Sequence, residues 1–253
     1  MQQHVLDLIT QYPVDFAAAI LLFITWLGIG VATESPPAGK PSVSVLMKRY
    51  RREWMRQFIE RDPRIFDGNI LSSLREGTAF FASACMIATG GLLALIRNAD
   101  PLRGLTQGLE IAQPDGVPLE MKLLVTMFFV VIAFLKFVWA HRLFGYCAIL
   151  MAAVPNDARD PIAAERAMQA ADLNITAARS FNAGLRSVYF ALGSLGWLMG
   201  PWTLLAGALV VLYVTWRREF SSTSRQVIMR SLPRPEIAAR NAATGSERLP
   251  PPP

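Results

Sequence analysis

Histidine and cysteine are almost missing: two of each occur in 253 residues. His4 and His141 lie far apart in the chain and near different ends of their segments, which argues against a haem held by two histidines. No Cys/His cluster has the spacing of a zinc site, and no Gly-rich phosphate loop follows a strand pattern. The apolar runs hold no paired aspartates, no Ser with His and no His-Glu-x-x-His. The side chains that hydrolytic or metal chemistry needs are therefore lacking, and neither enzymatic activity nor a cofactor is expected. Cys85 and Cys147 sit in apolar helical context, where a reduced thiol fills space.

Charge is the second scarcity. Only 17% of residues are charged and 53% are hydrophobic, against about a quarter charged in a soluble domain. Lysine is confined to Lys40, Lys48, Lys122 and Lys136. Residues 1–39 contain no Lys or Arg, so the first apolar run lacks the positive n-region of a cleaved signal peptide and reads as a span. Long uncharged runs appear around 16–33, 77–96, 123–135 and 187–216. Crossing the hydrocarbon core takes about 20 largely apolar residues in a helix. The expected fold is an all-α polytopic membrane helix bundle. A net charge of +6 in such a protein reports orientation rather than nucleic-acid binding. Arg and Ala richness points to a bacterial inner membrane.

Orientation follows from the positive residues. Segment 34–77 holds nine, segment 141–184 holds four and the tail from 217 holds seven, whereas 98–120 holds only Arg103. Cytoplasmic loops carry the excess of Lys and Arg, which puts the N-terminus in the periplasm. The run 185–216 then decides the tail. As one span, the fourth of four, it would leave the seven arginines outside. As two short spans turning at Gly200-Pro201, it brings them in. Gly is favoured just past a helix end and Pro at the first position of the next. The prediction is five spans, near 14–33, 77–97, 119–140, 184–200 and 201–217. Trp197 and Trp202 are expected at the outer interface. Residues 1–220 form one bundle domain, and 221–253 a largely disordered cytoplasmic tail.

Between the spans a cytoplasmic helical layer is expected. Residues 43–60 form a basic amphipathic helix. With residues about 100° apart, Val43, Leu46, Met47, Tyr50, Trp54 and Phe58 share one sector; Lys48, Arg49, Arg52 and Arg56 oppose it, with Arg51 at the edge. Such a helix suits an anionic lipid surface; alternatively its stripe packs on other cytoplasmic helices. Ser73 and Glu76 match a capping box, unless the helix simply continues. Ala79/Ser83, Ala84/Ala88 and Gly90/Ala94 have the small-residue spacing of close helix contacts, which would also suit a homo-oligomer. The third span should run on to Val154. After a turn, Asp160 caps a helix beginning at Pro161, so that 141–183 makes a helical hairpin below the membrane.

Four ionisable groups near the membrane are candidates for function. Lys136 lies deepest, although its stem can snorkel to the interface. His141 and Arg142 follow at the inner face, and Arg186 faces them from the fourth span. Glu34 is the proposed partner of Lys136. Asp15 is accounted for by its place in a helix's first turn.

Three phrases, taken in order, are distinctive: "REWM…RDPRIFDGNILSSLREGTAFFAS", "FLKFVWAHRLFGYCAILMAAVP" and "SFNAGLRSVYFALGSLGWLMGPW" with "RREF". Over about residues 15–220 the chain resembles the membrane family known as domain of unknown function 599. The resemblance implies no activity, but it implies that the polar residues of these phrases matter: Arg64, Asp67, Ser73, Arg142, Asn182 and Arg186. Two functions are open. One is a non-enzymatic scaffold or accessory subunit whose basic layer binds a protein partner or anionic lipid. The other is a small-solute or anion channel or transporter, with Lys136, Arg142 and Arg186 as an electropositive vestibule.

Overall fold

In the computed structural model, residues 10–37, 39–98 and 116–230 are described. They form helices and short connections, with no strand among them. In chain order the helices are α1 (Pro13–Glu34), α2 (Val43–Glu60), α3 (Ile65–Arg97), α4 (Leu119–Ala152), α5 (Pro161–Ser194), α6 (Pro201–Phe220) and α7 (Thr223–Arg230). A 3-10 turn, Leu195–Met199, links α5 to α6. Helices α1, α3 and α4 are long and apolar enough to cross a membrane. His4 and Arg103 lie outside the described residues, as does the chain beyond 230.

Local chemistry explains several helix ends. The Ser42 hydroxyl accepts from Val45 N at the start of α2 and donates to Thr33 O at the end of α1, so one side chain joins both helices. Asp160 accepts from Ile162 N, with Pro161 opening α5 as expected. The Ser73–Glu76 capping box is not formed. α3 begins at Ile65, holds Gly68 within its first turn, and runs through both positions unbroken. Residues 223–230, expected in the tail, form α7, whose Arg225 Nε donates to Pro41 O at 2.9 Å.

The run 185–216 reverses. Gly200 has φ +114°, a conformation glycine adopts without steric cost, and Pro201 begins α6. α6 then returns against α5 with backbones touching. A Cβ on Gly207 would stand 2.6 Å from Gly193 O, and one on Gly196 would stand 2.7 Å from Thr203 O. The close approach expected of the small pairs on α3 is thus made elsewhere. Ala79, Ser83, Ala84, Ala88, Gly90 and Ala94 are all exposed, because α3 packs through Leu71, Thr78 and Cys85 on its other side. A sequence period shows that a helix has a small-residue face, but not which helix meets it.

Two cores stack along the long helices. One is apolar and aromatic, built on Leu22, Phe129, Ala133, Phe137, Phe190 and Leu204. The other, at the basic end, packs Met55 and Phe58 of α2 on Phe144, Cys147 and Met151 of α4 and an alanine row of α5. α4 and α5 contribute to both. Trp197, placed by sequence at a membrane interface, is instead 1% exposed. Its indole N–H donates to buried Asp15 at 2.7 Å, which gives Asp15 a role beyond that of a helix-end charge. Trp202 is exposed.

A candidate functional site at the basic end

Glu34 is the last residue of α1, where the helix dipole disfavours an acid. Two guanidiniums offset this: Arg186 Nη2 lies 3.1 Å from Glu34 Oε1, and Arg179 pairs with Oε2. Arg186 and Asn182 are one turn apart on α5, and Arg179 is one turn before them, so all three share a face. Asn182 Nδ2 donates to Ser44 Oγ at 3.3 Å. Ser44 gives both its backbone N–H and its hydroxyl to Glu219 of α6, at 3.1 and 3.0 Å. A cavity of about 260 Å³ opens inside this ring. Lys48, Arg51, Arg179 and Arg186 line it against only two acids, Glu34 and Glu219. The site is a net cation in a half-enclosed space.

Arg51 is held from behind. It donates to Asn174 Oδ1, and Asn174 is fully buried, with Nδ2 toward Cys147 Sγ at 3.8 Å. Burial pushes the Arg51 guanidinium below its ordinary pKa, partly opposed by Cys147. Arginine remains a cation under such conditions, so the cavity keeps its charge.

A second polar cluster ties the corner between α2 and α3. Asp67, completely buried, accepts from Trp54 Nε1 at 2.6 Å and from Arg61. Its Oδ2 is buried without a hydrogen-bond partner among the described residues. Arg64 donates to Val154 O and Pro155 O, each at 2.8 Å, and to Ile59 O at 3.1 Å. Its guanidinium also covers the Phe58 ring at 4.5 Å. The pair locks the corner to the end of α4. Asp67→Ala strands the Trp54 N–H and frees Arg61; we expect a loss of about 2–3 kcal/mol, read as a lower thermal midpoint in detergent. An unchanged midpoint would remove Asp67 from the framework.

Residues 17–224 match the family described as "Protein of unknown function, DUF599". The chain belongs to this family. No curated protein and no solved structure matches it. Of the polar residues in its three phrases, Asn182 and Arg186 line the cavity, Arg64 and Asp67 build the corner, and Ser73 is exposed.

The vestibule of Lys136, Arg142 and Arg186 is not assembled in this DUF599 protein. Lys136 and Arg142 are exposed on α4, and Arg142 Nε turns to Tyr146 OH. Arg186 is buried beside Glu34, so Glu34 pairs with Arg179 and Arg186 and not with Lys136. His141 Nδ1 lies 3.1 Å from Thr78 Oγ1 and 3.3 Å from Arg75 O, a contact between α3 and α4.

The stripe of α2 also differs. Its buried residues are Leu46, Met55 and Phe58, a face rotated toward Arg51 and covered by α4 and α5. An apolar side lying down in a leaflet is therefore replaced by packing within the chain. Lys48 turns into the cavity, while Arg49, Arg52 and Arg56 are exposed. Sequence reasoning missed Arg51, Arg179 and Glu219 as cavity residues. The spacing of Arg179, Asn182 and Arg186 was the available signal.

Proposed function

We propose that this DUF599 protein is a five-span protein of a bacterial inner membrane, with its N-terminus periplasmic and its basic end in the cytoplasm. The reversal at Gly200 and the distribution of arginine support that topology. We read the protein as a non-enzymatic scaffold or accessory subunit whose cytoplasmic layer docks an acidic partner protein. One observation carries this reading: the apolar side of α2 is used inside the chain, leaving Arg49, Arg52 and Arg56 outward on a helix clamped at both ends. A clamped helix has little freedom left to lose on binding, and its charges steer an acidic surface toward it. The existing ion pairs, Arg52 with Asp172 and Arg56 with Glu53, are exposed and worth little. They exchange readily for a partner's carboxylates.

A photo-crosslinking residue in place of Arg52, irradiated in native membranes, is expected to give one discrete protein adduct. That adduct should disappear when Arg49 and Arg56 are both changed to Glu. Labelling of lipid alone, or no adduct, overturns the docking assignment.

The cationic cavity is the observation that favours the other reading, an anion carrier or channel. Leu22, Phe129, Phe137 and Phe190 are buried in the apolar core that the same helices form, which disfavours passage of an anion through a lone protomer. Anion uptake by proteoliposomes containing the purified chain would replace the scaffold reading with this one.

A further inference from the structure

A second cavity, of about 360 Å³, lies between α3 and α4 near the α2–α3 corner. Its polar lining is Arg64, Arg75, Ser72 and Asn156, and no carboxylate is among its lining residues. The two arginines differ in kind. Arg64 is immobilised by three carbonyls and the Phe58 ring, so its charge is fixed at the cavity edge. Arg75 Nε is buried and has no hydrogen-bond partner among the described residues. A guanidinium carries five N–H donors in a planar fork suited to phosphate. Leaving one buried and unanswered costs free energy, and an anion held by the rest of the fork, which lines the cavity, offsets part of that cost.

The surroundings indicate which anion. Arg75 stands two residues before the apolar run that begins at 77, which is the level of headgroup phosphates if α3 crosses the bilayer. Ala79, Met86 and Leu93 follow it on the same face at helical spacing, and all three are exposed. On α4, Gly145 and Val138 continue the line from Ala148 and Ala152, with His141 between them turned onto Thr78 and Arg75 O. An added Cβ at Gly145 would meet nothing within 4 Å, and Val138 is 44% exposed. The polar cavity therefore opens at one end onto a largely apolar track along both helices, crossed by His141 where it meets α3. A soluble anion has no use for that track, but acyl chains do.

We propose that this cavity binds the phosphate of an anionic phospholipid, with Arg75 as the principal ligand, Arg64 as a fixed charge, and the acyl chains along Met86, Leu93 and Val138. The proposal rests on the membrane placement of α3 and α4 but not on the docking of a protein partner.

The test is native mass spectrometry of the full chain from nanodiscs of phosphatidylcholine doped with phosphatidylglycerol. The wild type should retain phosphatidylglycerol selectively. Arg75→Gln should weaken retention about tenfold, the scale of losing a charge-assisted contact to phosphate. Asn156→Asp adds a carboxylate at the cavity without touching either arginine, and should weaken it as well. Arg217→Gln, exposed on α6 and away from the α3–α4 cavity, should retain lipid like the wild type. Equal retention by the wild type and both cavity variants overturns the site. Displacement of the lipid by inorganic phosphate alone overturns the lipid assignment in favour of a soluble anion. Extraction of the wild-type chain from membranes by alkali would instead refute the membrane placement, and is scored separately.

Discussion

Glu34→Ala is expected to cost the folded protein about 2–4 kcal/mol, because it leaves a buried guanidinium without its counter-charge. The Arg186 side chain is 9% exposed and that of Glu34 is 25% exposed, so water answers for the carboxylate only in part. Arg179, the other partner, has a side chain 53% exposed. Arg179→Ala should therefore cost less than about 1 kcal/mol. The two substitutions remove partners from the same ion cluster and differ chiefly in burial. Tryptophan fluorescence during thermal unfolding in detergent would rank them. The double change of Glu34 and Arg186 to Leu should recover most of the loss, since an apolar pair needs no compensation. Equal midpoints for Glu34→Ala and the parent would mean that the pair does not hold α1 to α5.

Gly207→Ala is the second large effect. Real Cβ atoms essentially never approach a heavy atom within 3.0 Å, yet this one would lie 2.6 Å from Gly193 O. Its neighbour is backbone and cannot swing aside, so α5 and α6 must part, at a cost of about 1–3 kcal/mol. Close packing of this kind is a main source of helix association in lipid, which makes the separation hard to offset. Gly91→Ala on α3 is the control. Nothing lies within 4 Å of its added methyl, and the better helix former should be neutral or stabilising by up to about 1 kcal/mol. A destabilising Gly91→Ala would show that α3 has an unseen neighbour, and a neutral Gly207→Ala would refute the contact between α5 and α6.

The contrast between those glycines shows where sequence reading succeeds. Gly200-Pro201 and Asp160-Pro161 were legible because each feature acts within one turn of backbone. The basic helix was legible for the same reason: its period belongs to itself. Its occupied face was not, since Arg51 points inward only because Asn174 of α5, far along the chain, is there to receive it. Glu34 was assigned to Lys136 on membrane depth alone, but pairing depends on which helix faces adjoin. α1 adjoins α5, while Lys136 points out of the bundle. Arg64 and Asp67 were marked by their resemblance to family phrases, and the structure supplies the physical reason: each satisfies, or is satisfied by, groups from more than one element.

Helices α4 and α5 each run 34 residues without a break, a length of about 50 Å at 1.5 Å per residue. Both are shared between the aromatic core and the core at the basic end. They act as a pair of levers fixed at two heights. Whatever tilts α5 where Arg179 and Arg186 grip Glu34 must swing its far end, where Trp197 meets Asp15. Occupancy at the basic end would thus be registered at the other end of the helix as a change in the surroundings of a single buried indole.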